Sequence, residues 1–259
     1  MLAIGILVLF TLLLLLSVPV SSALAIVAIT PGIVDPNFHI SSEYVIRSML
    51  GGIDSFPLLA VPMFILSGIL MAKGGVSKRL FDVFSYFLGE HTAGMPCAVI
   101  VTCLFYGAIS GSAPATVAAV GSMTIPLLIR MGYDKVFVTA LVAVAGGLGV
   151  IIPPSIPFIL YGMASGASVG KMFIAGIIPG ILIAALLMIY AIYHCKIHGE
   201  DKEKIHAEVS ALHEKGFARV FLDSFWALLT PIIILGCIYS GVASPTEAAV
   251  ISVFYALFI

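Results

Sequence analysis

The sequence predicts an all-α polytopic membrane protein with a helical hairpin dipping part-way into the bilayer and discontinuous helices. Three observations lead there. Of 259 residues, 61% are hydrophobic and only 10% charged, a balance outside the range of soluble domains. Apolar runs near the ~20 residues that cross a bilayer core recur along the chain. Two of those runs are interrupted by clustered glycine, proline and small hydroxyl residues.

The first run, Met1 to Ile29, carries no charge and no basic leader region. Ser21, Ser22 and Ala23 imitate a cleavage site, but the run is too long for an ordinary signal peptide, so it reads as one retained helix. The second, Phe56 to Met71, follows "GGIDSFPLLAVP", where Pro57 and Pro62 break or start a helix. After the polar corner "KGGVSKR", "LFDVFSYFL" from Leu80 to Leu88 is too short to span and suits an interfacial or partly buried helix.

Met95 to Ile129 is too long for one crossing and short for two plus a loop, with "GAISGSAPATVAAVG", Gly107 to Gly121, in its middle. The polar turn "RMGYDK" precedes Val136 to Ala164, an apolar run broken by "GGLGVIIPPSIP" from Gly146 to Pro157. Met172 to Tyr193 spans, and the 26 mostly polar residues after it hold Lys196, Lys202, Lys204, Lys215 and Arg219, which marks this connector as cytoplasmic. Within it Ile205, Val209 and Leu212 recur at helical spacing, as an amphipathic helix on the membrane or as a solvated connector. Phe221 to Tyr239 spans again, with Trp226 and Tyr239 read as aromatic belt residues. A last helix starts at Ser244 or Thr246 as cap, with Pro245 in its first turn and Glu247 at its positive end. Because the chain stops at Phe258 and Ile259 inside an apolar run, it is expected to be the N-terminal portion of a longer chain.

Backbone that leaves a helix at membrane depth survives only where protein or a polar cavity satisfies it. In "SGSAPAT", Ser110, Ser112 and Thr116 bring hydroxyls, Gly111 permits a sharp turn and Pro114 removes a donor. In "GGLGVIIPPSIP", Pro153 and Pro154 leave carbonyls one turn earlier without helical partners, and Ser155 adds a hydroxyl. Freed carbonyls with hydroxyls suit a hard monovalent cation, and half-helix N-termini suit an anionic substrate group. Tight packing of small residues is the plainer alternative, but two breaks in one chain favour a shared site.

Other features point away from chemistry. Cys97, Cys103, Cys195 and Cys237 form no C-x-x-C pair, and a net charge of -1 without a basic stripe argues against nucleic acid. Asp35, Glu43, Arg47 and Asp54 lie near predicted segment ends and suit interface or partner contacts. His194 and His198 share a helix face but lack a patterned third ligand. There is no G-x-S-x-G, no H-E-x-x-H and no Walker A signature, so an intramembrane enzyme or an ATPase is not expected. A passive channel with a carbonyl-lined re-entrant filter remains the alternative to a secondary importer.

The segments "GGIDSFPLLAVPMFILSGILMAKGG", "FYGAISGSAPATVAAVGSMTIPLL", "GYDKVFVTALVAVAGGLGVIIPPSIPFILYG", "AGIIPG" and "GVASPTEAAV" resemble, in order, the large membrane (M) subunit of TRAP (tripartite ATP-independent periplasmic) transporters. That resemblance implies an inverted-repeat ion-transporter-type fold in the bacterial inner membrane and sodium-coupled import of organic acids such as C4-dicarboxylates or sialic acid. It also implies a small membrane (Q) subunit, a periplasmic substrate-binding (P) protein and elevator movement. Carried over by position, Ser110, Gly111, Ser112 and Ala113 with Gly149, Ile152 and Pro154 match the first sodium site, and Thr116 and Ser155 lie near substrate. On the same resemblance, residues 1–94 read as scaffold, 95–165 as half of the transport domain, 166–219 as a spanning helix with connector, and 220–259 as the start of a second repeat. The hairpin that would carry the symmetry-related site is absent from this sequence.

Overall fold

A computed structural model describes residues 2–34 and 42–259, which are helical with short turns and form two compact units, Met1–Ser55 and Phe56–Ile259. Asp35, expected to make interface or partner contacts, lies outside the described residues.

The first unit holds α1 (Leu2–Leu15), α2 (Val20–Val34) and α3 (Ser42–Ile53). The single helix expected over Met1 to Ile29 is in fact two. Ser17 takes a left-handed φ of 60° and Pro19 supplies no N–H, so the ladder stops and restarts at Val20. In α3, Arg47 pairs with Glu43 at 2.6 Å on an exposed face, a contact worth little to stability.

The second unit begins with a 3-10 turn at Phe56–Leu59 that leads into α4 (Ala60–Lys73), so Pro57 and Pro62 both stand at a helix start, where a missing N–H does least harm. Next come α5 (Val76–Leu88), α6 (Gly94–Ser110), α7 (Ala113–Arg130), α8 (Lys135–Gly146), α9 (Leu148–Ile151) and α10 (Ile156–Ser165). The chain continues through α11 (Val169–His198), α12 (Lys202–Glu214), α13 (Phe217–Tyr239) and α14 (Pro245–Phe258). Among the described residues four segments are long and apolar enough to cross a bilayer: Phe56–Lys73, Ala113–Arg130, Val169–His198 and Phe217–Tyr239.

The centre of this unit is α6, of whose 17 residues 14 are buried, with α5, α7, α8, α9, α11 and α13 around it. That burial explains its composition of alanine, glycine, cysteine and valine, which lets neighbouring backbones approach. The α6–α7 pair is the expected hairpin. Its legs are nearly full spans because the connection is only Gly111 and Ser112, shorter than the loop the sequence reading allowed for.

Two other expectations change, and one open choice is settled. The apolar face of α12, Ile205, Val209 and Leu212, is buried and packs on α5, so it is not free to lie on lipid. Trp226 stands nine residues inside α13, roughly 13 Å from its start, because that helix begins at Phe217; it is not at an end. At α14, Ser244 is the cap: its hydroxyl accepts from Glu247 N, and the Glu247 carboxylate accepts from Ser244 N at 2.7 Å, a reciprocal capping box.

Candidate functional site

The hairpin tip is built by backbone geometry. Gly111 closes α6 at φ 62°, a left-handed conformation that a glycine adopts without penalty, and its N–H donates to Gly107 O. Ser112 is extended, at φ −139° and ψ 123°, and α7 starts on Ala113 and Pro114. Around this turn three oxygens converge. Thr116 Oγ1 donates to Ser112 O at 2.9 Å and lies 3.0 Å from Ser110 Oγ, which in turn is 3.3 Å from Ser112 O. Ser110 and Thr116 are buried, at 1% and 0% exposure, so these hydroxyls look inward.

The second break repeats the device. After α9, Ile152 turns extended, the Pro153–Pro154 bond is cis, and Ser155 is extended at φ −128° and ψ 123° before α10 starts on Ile156 and Pro157. Both helices therefore open with Ser-x-Pro, the serine as extended cap and the proline where no helical donor is needed.

The two breaks touch. Ile156 N donates to Gly111 O at 3.2 Å, which stitches the start of α10 to the hairpin turn. A Cβ on Gly111 would lie 2.8 Å from Pro154 O. One placed on Gly149 would lie 2.5 Å from Thr116 Oγ1 and 3.0 Å from Ser112 O. Only hydrogen at position 149 leaves room for the tip oxygens.

Of the positions drawn from the sequence, Ser110, Gly111, Ser112, Thr116, Gly149 and Pro154 thus come together. Ala113 is half-buried at the first turn of α7 and brings backbone alone. Ile152 turns its side chain to α11, where a Cβ on Gly180 would meet its Cδ1 at 2.2 Å, so only its backbone belongs to the break. Ser155 Oγ donates to Val150 O at 2.6 Å and accepts from Phe158 N at 3.4 Å, which commits it to the break itself. Thr116, read from the sequence as a substrate neighbour, shares its hydroxyl with the tip oxygens.

Some contacts that hold this arrangement are not legible in the sequence. A Cβ on Gly107 would meet Gly149 Cα at 2.6 Å, and one on Gly146 would meet Val117 Cγ2 at 2.1 Å. Tyr106 Oη donates to Gly68 O at 3.0 Å, tying α6 to α4. The glycines were visible, but their partners lie tens of residues away. Elsewhere His194 stacks on Phe137 at 3.9 Å and on His198 at 4.1 Å, and among the described residues no group of three or more His, Cys, Asp or Glu gathers as metal ligands.

Two adjacent helix N-termini carry partial positive charge toward one region, and neutral oxygens line the turn between them. Helix N-termini are groups of the type that an anion takes, and neutral oxygens groups of the type that a hard monovalent cation takes.

Residues 7–259 match the family described as "Tripartite ATP-independent periplasmic transporter, DctM component". The isethionate TRAP transporter permease protein DctMQ of Oleidesulfovibrio alaskensis is 43% identical over 250 residues, covering 96% of this chain and 38% of that one. The C4-dicarboxylate TRAP transporter large permease protein DctM of Pseudomonas aeruginosa is 41% identical over 206 residues, 80% of this chain and 47% of its own. The ectoine TRAP transporter large permease protein TeaC of Halomonas elongata is 39% identical over 215 residues, 83% and 49% respectively. The chain spans less than half the length of these three relatives. It belongs to the DctM family, the large permease component of tripartite ATP-independent periplasmic transporters.

Proposed function

We propose that this chain supplies half of the transport site of a sodium-coupled importer of small organic anions. As a DctM component it is a multi-pass protein of the inner membrane. The convergence of the hairpin turn with the broken helix supports the reading most directly. Ser110 Oγ, Ser112 O and Thr116 Oγ1 are neutral oxygens of the kind that replace the hydration shell of sodium. Gly149 gives them clearance. The N-termini of α7 and α10 favour a negatively charged head.

Isethionate, C4-dicarboxylates and sialic acid, after which relatives are named, share an anionic carboxylate or sulfonate and little else. Helix termini that read charge rather than shape fit such a range, and selectivity then lies with a soluble binding protein that delivers the substrate. A small membrane subunit completes the assembly, the DctMQ relative's name being compatible with a fusion of the two. The hairpin and the broken helix meet backbone to backbone, which supports their moving together in an elevator mechanism.

The test is uptake into proteoliposomes by the complete permease with its small subunit and binding protein, under inward sodium, inward potassium and no gradient. Saturable uptake that requires sodium is expected, together with a sodium-specific rise in thermal stability that Ser110→Ala and Thr116→Val reduce. Non-saturating flux without a gradient would instead identify a passive channel.

A further inference from the structure

A second site lies away from the hairpin, where α5 meets the start of α13. A cavity of about 470 Å³ is lined by Arg79 and Asp82 of α5, Lys215 before α13, and Asp223, Ser224 and Trp226 of α13. The volume is many times the ~30 Å³ share of one water. The walls are fixed to each other, since Ser224 Oγ donates to Arg79 O at 2.7 Å.

Two cations and two carboxylates face this cavity, yet among the described residues none of the four enters an ion pair. Arg79 and Asp82 are half-buried. Burial raises the Asp82 carboxyl above the ordinary carboxylate range, with Lys78 and Lys215 pulling it back and Glu208 adding to the rise. Asp223 stands within the membrane-crossing segment Phe217–Tyr239, where a carboxylate is costly without a cationic partner. On either side of it along α13, Leu222 and Trp226 are exposed, at 65% and 48%, and Trp226 sits edge-on to Phe258 at 6.2 Å. The place where a polar connector enters an apolar span thus presents unpaired charges of both signs beside exposed apolar side chains.

We infer that this cavity binds a phospholipid with a zwitterionic, primary-ammonium headgroup, its phosphate met by Arg79 and Lys215 and its ammonium by Asp82 and Asp223, with acyl chains along Leu222 and Trp226. A purely anionic lipid would satisfy the two cations but leave Asp82 and Asp223 repelled. A quaternary ammonium donates no hydrogen bond to either carboxylate. The chemistry therefore selects phosphatidylethanolamine over both phosphatidylglycerol and phosphatidylcholine.

The experiment uses the purified full chain in detergent, stripped of lipid and titrated with each of these three lipids and with soluble phosphoethanolamine. Lipid adducts are read by native mass spectrometry and stabilisation by thermal unfolding. Saturable binding of phosphatidylethanolamine, roughly tenfold tighter than phosphatidylcholine, is expected, as for loss of one or two charge-assisted hydrogen bonds. Asp82→Asn with Asp223→Asn is expected to abolish that preference, and Arg79→Gln to weaken all three lipids by about tenfold. Should Arg79→Gln fail to fold, Lys215→Gln at an exposed position reads the same phosphate contact. Equal binding of the three lipids, or a preference that survives the double substitution, overturns the site. Soluble phosphoethanolamine binding as tightly as the lipid overturns the membrane source and leaves a site for free phosphate esters.

Discussion

Gly149→Ala tests whether the hairpin turn and the broken helix form one site. The added Cβ would stand 2.5 Å from Thr116 Oγ1, about 1 Å inside ordinary van der Waals separation, and also 3.0 Å from Ser112 O and 3.2 Å from Ser112 C. Two of those three neighbours are backbone atoms, and the third already bonds Ser112 O at 2.9 Å, so none yields freely. Overpacking of this kind costs about 1–3 kcal/mol, and one displaced hydrogen bond adds about 1 kcal/mol. Against this, alanine gains about 1 kcal/mol over glycine inside a helix, which leaves a net loss of about 1–3 kcal/mol. Gly236→Ala is the matched control: it is the same exchange inside α13, where nothing lies within 4 Å, and it is expected to be neutral or stabilising by up to about 1 kcal/mol. Thermal unfolding of both variants in sodium and in potassium reads the effect. The Gly149 variant should melt on the order of 5 °C lower and lose most of its sodium-specific shift. If the two variants unfold alike and keep equal sodium shifts, the turn and the break do not share a site.

Thr116→Val keeps the shape of a fully buried side chain but deletes the hydroxyl that joins Ser110 Oγ to Ser112 O; we expect sodium affinity to fall about tenfold while folding loses about 1–2 kcal/mol, as isothermal titration and unfolding would read. Tyr133→Phe removes the phenol that donates to Glu200 at 2.5 Å beside the bond from Ala93 N, so the joint between the hairpin base and the α11–α12 turn should weaken by about 1 kcal/mol, seen as faster amide exchange at Ala93. Hydrogen bonds from Lys204, side chain and backbone, hold the Asp201 carboxyl below its ordinary 3.8. A depressed folded value stabilises above the unfolded one, so protection of the Lys204 amide should be constant at neutral pH and fall as pH drops below about 3.8.

Periodicity and composition made the spans legible, because a bilayer imposes length and apolarity on each crossing and prolines at 57, 62 and 245 mark helix starts. They misjudged the join at Ser17 to Pro19, where an uncharged run concealed a left-handed turn. The apolar stripe of α12 was visible, but the choice between lipid and α5 depended on tertiary packing that spacing does not encode. At the candidate site, hydroxyls and glycines could be found as letters. What no local pattern gives is that Gly149 faces Thr116 while Ile152 turns to Gly180, since each partner is fixed by how α6, α9 and α11 cross. Thr116 illustrates this: one turn beyond Ser112 it reads as a neighbour, and its hydroxyl closes back onto the tip.

The small residues in the hairpin follow from the electrostatics of two helix starts brought together. The N-termini of α7 and α10 both bear partial positive charge, so their approach is unfavourable until something negative lies between them. Gly111 O, accepting from Ile156 N, offsets a fraction of this with one hydrogen bond at 3.2 Å. On the proposed function the larger anionic group is the substrate's, and the backbones then have to stand close enough for both termini to reach it. Gly107 against Gly149, and Gly111 against Pro154 O, supply that closeness, where any Cβ would hold the helices apart. Bulk in this stretch would therefore raise hydrophobic burial while separating the two helix starts that the proposed anion site brings together. On that reading the composition follows the site's requirement rather than the stability of the helices.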